Sequence, residues 1–82
     1  MATGLGPRVE LSMEDMKVAV LRVMKRRSRP HMETSAYEMV AGLYRDGIWC
    51  TQKEAHDAMV ELEVAGKLRK SQHGYQLVAK VA

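Results

Sequence analysis

Three short motifs of the same kind, each heading an amphipathic run, constrain how this chain can fold. In each motif a Ser or Thr is followed three residues later by an acid. The pairs are Ser12 and Asp15, Ser35 and Glu38, and Thr51 and Glu54. The first side chain can accept an unpaired N–H of a helix's first turn, and the acid favours the positive end of the helix. The motifs therefore predict three helix starts.

The apolar spacing after each motif predicts how far each helix runs. We expect helices over residues 13–27, 36–45 and from the Thr51 cap to Ala65. Gly47 and Gly66 are placed to stop the second and third helices, because glycine readily adopts the left-handed conformation that follows a helix. Since only a short link separates these two helices, the chain must turn sharply there. The pair is therefore predicted to resemble a helix-turn-helix.

A β-hairpin is predicted after the third helix. Residues 67–70 and 75–78 flank Ser71-Gln72-His73-Gly74, a turn sequence that contains glycine. With Gln72 and His73 at the turn, Leu68 faces Leu77 and Lys70 faces Tyr75. Because an isolated hairpin is barely stable in water, we expect it to pack against the helices.

The chain is predicted to be mainly α with a small β-hairpin. Its 82 residues allow one domain, over residues 12–79, with a flexible arm at 1–11 and a tail at 80–82. So small a core leaves little room for a deep substrate pocket, so we do not expect an enzyme. Neither a membrane span nor a signal peptide is predicted. A lone cysteine, Cys50, suits a cytoplasmic or nucleoid-associated protein.

The stretch from Thr51 to Leu77 resembles the recognition helix and wing of winged-helix DNA-binding domains. In those domains the helix ends in a pattern of the form L-x-x-x-G-x-L, followed by a basic strand, a turn and a strand that begins with Gly-Tyr. The matching residues here are Leu62, Gly66, Leu68, Gly74 and Tyr75. The resemblance implies a winged helix-turn-helix that binds double-stranded DNA as a transcription regulator, usually as a dimer. Its third helix would enter the major groove and its wing would contact the backbone.

Under that resemblance, three groups of side chains are candidates for DNA contact. Gln can pair with adenine through two hydrogen bonds, and Lys can bind guanine or phosphate. The candidates are Gln52, Lys53 and His56 on the third helix, Arg69, Lys70, Gln72 and His73 on the wing, and Lys25, Arg26, Arg27 and Arg29 at the end of the first helix.

The charge distribution favours an alternative. Residues 51–66 hold four acids and one base, a net charge of −3, whereas the rest of the chain is +6. Acids at a groove-reading face oppose phosphate binding. The domain could instead be a protein-binding module or inhibitor, or form a homodimer, through its acidic third helix or through apolar residues off the main stripes. The candidate interface residues are Val18, Leu21, Asp57, Val60, Glu61 and Val64. Equally, the N-terminal arm or Val81 could cover Val18 and Leu21.

Other site chemistry is not indicated. Cys50 and the three histidines, His31, His56 and His73, lack the paired spacing of a zinc site, so no metal or other cofactor is predicted. His56 and Asp57 are adjacent on a helix and point in different directions, so neither can orient the other as a catalytic base. Phosphate-binding glycine loops and nucleophile elbows are absent from the sequence.

Overall fold

A computed structural model of the protein describes residues 11–27 and 32–78. It contains three helices followed by a two-stranded antiparallel hairpin, a winged-helix-like arrangement that confirms the predicted fold class. The elements are α1 (Met13–Arg26), α2 (Ala36–Arg45), α3 (Gln52–Val64), β1 (Leu68–Ser71) and β2 (Gly74–Leu77). The predicted arm and tail lie outside the described residues except for Leu11, which is half-buried and packs against the core.

All three predicted caps are present at the helix starts. The Ser12 hydroxyl accepts from the Asp15 amide at 3.1 Å. The second and third starts are complete capping boxes, in which the Glu38 and Glu54 carboxylates also accept from the cap amides at 2.9 and 2.8 Å. The Ser35 amide holds the pKa of Glu38 below its ordinary value.

The core lies between the three helices and is closed at one side by the hairpin. Its fully enclosed side chains are aliphatic residues and methionines together with Thr34, and α3 packs against both α1 and α2. The largest of them are Val20, Val23, Met39, Leu43, Met59, Leu62 and Leu68. Helices α1 and α2 approach closely at Gly42, where an added Cβ would lie 2.6 Å from Val23 Cγ1. Methionine suits such a core because its flexible side chain fills irregular gaps.

The hairpin has the predicted register. Leu68 pairs with Leu77 and Lys70 with Tyr75 around a turn at residues 72–73. Leu68 and Tyr75 are both buried in the core, which fixes the hairpin to the helices. The expectation that the hairpin packs on the helical part is therefore confirmed.

A strand-like contact before α2 was not predicted from the sequence. Thr34 forms an isolated antiparallel bridge with Tyr75, and each residue's amide donates to the other's carbonyl at 2.9 Å. An added Cβ at Gly74 would lie 2.6 Å from the Thr34 carbonyl atoms, so the two segments are in close contact. The hairpin therefore has a backbone partner on its Tyr75 side as well as the buried side chains.

The apolar spacing predicts that Ala36, Met39, Val40 and Leu43 are buried on α2, and Ala55, Ala58, Met59, Leu62 and Ala65 on α3. Three of these predictions were wrong. Ala65 is exposed, because α3 ends at Val64 and the chain turns away through the left-handed Gly66, whose φ is 80°. Ala36 and Val40 are only half-buried, since α2 turns its Met39, Gly42 and Leu43 face towards the core.

We expect the Thr→Val substitution to change the free energy of unfolding in opposite directions at Thr34 and at Thr51. Thr34 is fully buried, and its hydroxyl has no hydrogen-bond partner among the described residues. Thr34→Val keeps both backbone bonds and removes the unpaired hydroxyl, so we expect it to raise the free energy of unfolding by about 1 kcal/mol. Thr51→Val removes the acceptor for the Glu54 amide and should lower it by about 1 kcal/mol.

Urea denaturation of the two variants beside the parent chain measures both effects. A loss of stability in Thr34→Val comparable with that in Thr51→Val would show that the Thr34 hydroxyl makes a stabilising hydrogen bond.

Candidate nucleic-acid interface

Tyr75 brings the third helix and the hairpin together. Its ring packs edge-on against the ring of His56 on α3, with centroids 6.2 Å apart, and its hydroxyl lies 3.5 Å from His56 Nε2. On the other side, Lys70 Nζ lies 5.3 Å from the centre of the Tyr75 ring, within range of a cation–π interaction. One buried residue thus positions a candidate residue of the helix and a candidate residue of the hairpin.

The Tyr75 hydroxyl remains protonated at neutral pH. Burial raises the pKa of Tyr75, and the charge of Glu63 adds to that shift. A protonated hydroxyl can donate to the His56 ring, so the contact between α3 and β2 needs no charged histidine.

The hairpin presents a basic surface. Residues 67–77 contain three bases and no acid, and Lys67, Arg69 and Lys70 are all exposed. Arg69 Nε donates to Oε1 of Gln76, its cross-strand partner, at 3.0 Å, which fixes part of its guanidinium to the hairpin. We call the exposed side chains of Lys67, β1, β2 and the turn between the strands the wing surface.

The turn of the hairpin is held by the segment that precedes α2. Gln72 and His73 are exposed there, and the His73 amide donates to Glu33 Oε2 at 3.4 Å. The Ser71 hydroxyl, and secondarily the His73 amide, lower the pKa of Glu33 from its ordinary value. The Ser71 hydroxyl also lies 3.0 Å from the Gly74 carbonyl, and its single proton is donated to one of these two acceptors at a time. These contacts reduce the freedom of the turn that carries Gln72 and His73.

The start of α3 is exposed, but its one base is paired. Gln52, Lys53 and His56 are accessible, and Lys53 Nζ donates to Asp57 Oδ2 at 2.9 Å, one turn along the helix. Asp57 is the acid that counts most against DNA at this face, and here its charge is balanced locally by Lys53. The same pair also withholds Lys53 from any phosphate.

The bases at the end of α1 connect helices. Arg26 binds Asp46 Oδ1 at 2.8 Å, and Arg27 approaches Glu38 Oε2 at 3.5 Å, so both tie α1 to α2. Lys25 is exposed, and Arg29 lies outside the described residues. Arg45 joins Arg26 and Arg27 around a small hollow of about 120 Å³. Arg26 and Arg27 therefore hold α1 and α2 together through ion pairs, and they are less available to bind phosphate than the bases of the wing surface.

The residues suggested for a protein interface differ in how exposed they are. Val18 is 56% exposed, whereas Leu21 is half-buried and packs against the core. On α3, Val60 is half-buried and Val64 is 82% exposed. Glu61 is exposed and Asp57 is paired with Lys53.

A different apolar surface was missed in the sequence. A groove of about 410 Å³, which we call the aromatic groove, is lined by α2 and the link after it. Its lining residues are Tyr37, Val40, Ala41, Tyr44, Ile48, Trp49 and Cys50. The rings of Tyr44 and Trp49 pack edge-on with centroids 5.8 Å apart. The spacing of residues 37, 41 and 44 was the available signal, because it places a second stripe on α2.

The described part of the chain shows neither a metal centre nor a membrane span. Across residues 11–27 and 32–78, no three His, Cys, Asp or Glu side chains are grouped so that they could hold a metal ion. None of the helices described is long and apolar enough to cross a bilayer. Comparisons with protein-family models, curated proteins and solved structures find no match to this chain.

A substitution at Gly74 should detach the hairpin from the segment that precedes α2. In Gly74→Ala the new Cβ would collide with the Thr34 backbone, so the bridge to Tyr75 must open. We expect the free energy of unfolding to fall by roughly 1–3 kcal/mol, as in other overpacked sites. Hydrogen exchange should accelerate at the Thr34 and Tyr75 amides more than in the centre of α3.

Gly47→Ala is the control for that experiment. It strains a left-handed position at φ 81° with nothing within 4 Å of the new Cβ. It should therefore leave the relative exchange rates of Thr34 and Tyr75 unchanged. Equal acceleration at these amides in both variants would contradict a specific anchoring role for Gly74.

Proposed function

We propose that this domain binds double-stranded DNA through the wing surface and the first turns of α3, as a small DNA-binding regulator. The observation that carries the proposal is the pair of contacts made by the buried Tyr75 ring. It holds His56 of the helix and Lys70 of the hairpin against one buried ring. A basic ribbon that is fixed relative to a helix start is the arrangement a winged helix needs to contact backbone and bases together.

The division of labour follows from the charges. Lys67, Arg69 and Lys70 neutralise phosphates, which supplies most of the affinity and makes it depend on salt. Gln52 and His56, exposed on the first turns of α3, are the side chains placed to reach base edges. The acids in the last turns of α3 then point away from the groove. Binding is accordingly led by the wing, with the helix as a secondary contact.

The proposal predicts salt-sensitive binding that depends on the wing. Fluorescence anisotropy with random-sequence duplex DNA should give binding at about 50 mM salt that weakens steeply towards about 200 mM. Arg69→Ala with Lys70→Ala should reduce the slope of log K against log salt by roughly 2, because two phosphate contacts are lost.

The control is Lys17→Ala with Arg22→Ala on α1, which removes the same number of bases outside the wing surface; Arg22 is exposed, and Lys17 is half-buried and pairs with Glu14 at 3.0 Å. It should change the slope much less than the wing variant does. An absence of binding at about 50 mM salt would contradict the proposal and favour the protein-binding alternative. An equal response in both double variants would remove the wing from the site.

The Lys53–Asp57 pair predicts a variant that binds DNA more tightly. Asp57→Asn removes a charge that repels phosphate and releases the Lys53 ammonium. At about 0.1 M salt the affinity should rise by up to about tenfold, the value of one further phosphate contact.

Glu61→Gln removes one acidic charge from the same helix at an exposed position two turns from Lys53, and serves as control. It should have a smaller effect than Asp57→Asn in the same anisotropy assay. Equal gains from the two substitutions would show that only net charge matters, and would contradict a contact by the start of α3.

A further inference from the structure

The aromatic groove concentrates nearly all of the chain's aromatic side chains on one surface. The chain has three Tyr, one Trp and no Phe. Three of these four residues line the groove and remain exposed, with 74% of Tyr37, 58% of Tyr44 and 49% of Trp49 accessible; the fourth, Tyr75, is buried. Tyr and Trp are enriched where proteins bind proteins, since they bury large areas with few rotatable bonds. A core poor in aromatics beside an aromatic surface indicates an interface.

The shape of α2 suits a second copy of itself. Tyr37, Ala41 and Tyr44 follow one stripe of the helix, and the outer two are separated by about 10 Å at 1.5 Å per residue. Ala41 is exposed and small, so another helix can approach closest at the middle of the stripe. Two such stripes running in opposite directions about Ala41 interlock, because each Tyr37 meets the end of the groove that the partner's Tyr44 and Trp49 line.

We propose that two copies of this chain associate through the aromatic groove, with their α2 helices antiparallel. The charges beside the stripe favour this direction. Glu38 and Arg45 follow Tyr37 and Tyr44 by one residue and share one flank of α2. An antiparallel pair sets Glu38 opposite the partner's Arg45, and two-fold symmetry repeats that pair. A parallel pair would place the two Glu38–Arg45 flanks on opposite sides of the dimer, so these charge pairs could not form, and it would align the two helix dipoles unfavourably.

The Glu38 carboxylate can take part without leaving its cap. Its Oε1 accepts from the Ser35 amide, and its Oε2 lies 3.5 Å from Arg27, yet 46% of the side chain stays exposed. A carboxylate has several acceptor positions, so a further arginine can bind at the exposed side. Arg45 is exposed in the last turn of α2.

The size of the groove fits the centre of a dimer interface. Three aromatic rings that bury about 150–250 Å² each when enclosed, and are now half or more exposed, offer several hundred Å² per copy. A stable interface takes about 800 Å² per partner, with a few aromatic residues at its centre and a polar rim. Glu38 and Arg45 supply such a rim. None of these residues belongs to the proposed DNA contacts, so the dimer stands or falls independently of DNA binding.

Sedimentation of the full chain without DNA tests the dimer. From about 1 µM to about 1 mM protein, the mass should rise from 9.2 kDa towards twice that value. The fluorescence of Trp49, the only tryptophan, reports whether the aromatic groove lies in the interface. Its emission should shift to shorter wavelength and its quenching by acrylamide should fall as the dimer forms, because the ring becomes enclosed.

Two variants and their controls locate the interface. Tyr37→Gln should raise the dimer Kd by about tenfold or more, as expected for an aromatic residue at an interface centre. Its control, Val64→Gln, changes an apolar residue that is 82% exposed on α3 and should leave the Kd unchanged. Arg45→Glu sets acid against acid and should also raise the Kd. Arg22→Glu, at an exposed position of α1, should have little effect.

A parent chain that stays monomeric to about 1 mM overturns the proposal and leaves the groove to a different partner. A dimer in which Trp49 remains as accessible as in the monomer, or one weakened by Val64→Gln but not by Tyr37→Gln, overturns the proposed surface. Circular dichroism of each variant separates loss of association from loss of folding.

Discussion

The backbone pairing between Thr34 and Tyr75 connects the segment before α2 to the hairpin. A two-stranded hairpin has too few contacts to be stable alone, and this one gains a third backbone partner on the side where Tyr75 enters the core. The same tyrosine meets His56 of α3 and carries Lys70 over its ring. The position of the basic ribbon relative to the start of α3 therefore depends on one bridge and one buried ring.

Ion pairs decide which charges are available at the surface. Counted along the chain, α3 is an acidic helix and the end of α1 a basic one. In the folded chain Asp57 is balanced by Lys53, and Arg26 is tied to Asp46. Net charge along a segment is thus a poor guide to what a phosphate backbone would meet. On the wing surface Lys67, Arg69 and Lys70 remain exposed, and the acid that contacts the turn, Glu33, comes from the segment before α2.

Much of the fold was predictable, and the reason is that its signals are local. Helix caps act over three residues, apolar stripes repeat within a helix, and the hairpin register follows from its turn, so Ser35, Thr51 and the Lys70–Tyr75 pair were all assigned correctly. The candidate site was predictable only as a set of residue types. Neither the Thr34 bridge nor the His56–Tyr75 contact leaves a periodic signal, since each joins residues that are distant in the sequence.

The sequence by itself determined to within about one residue where the three helices and the hairpin begin and end, because those limits depend on hydrogen bonds and side-chain spacing within each segment. Only the tertiary structure decided which apolar side chains outside the core-facing stripes stayed exposed. The apolar spacing predicts that Met39 and Leu43 of α2 face the core, but it does not show whether another element covers Tyr37, Tyr44 and Trp49. In the folded chain these three rings stay exposed. The packing of α2 against α1 and α3 selects that face, through contacts that no single segment contains.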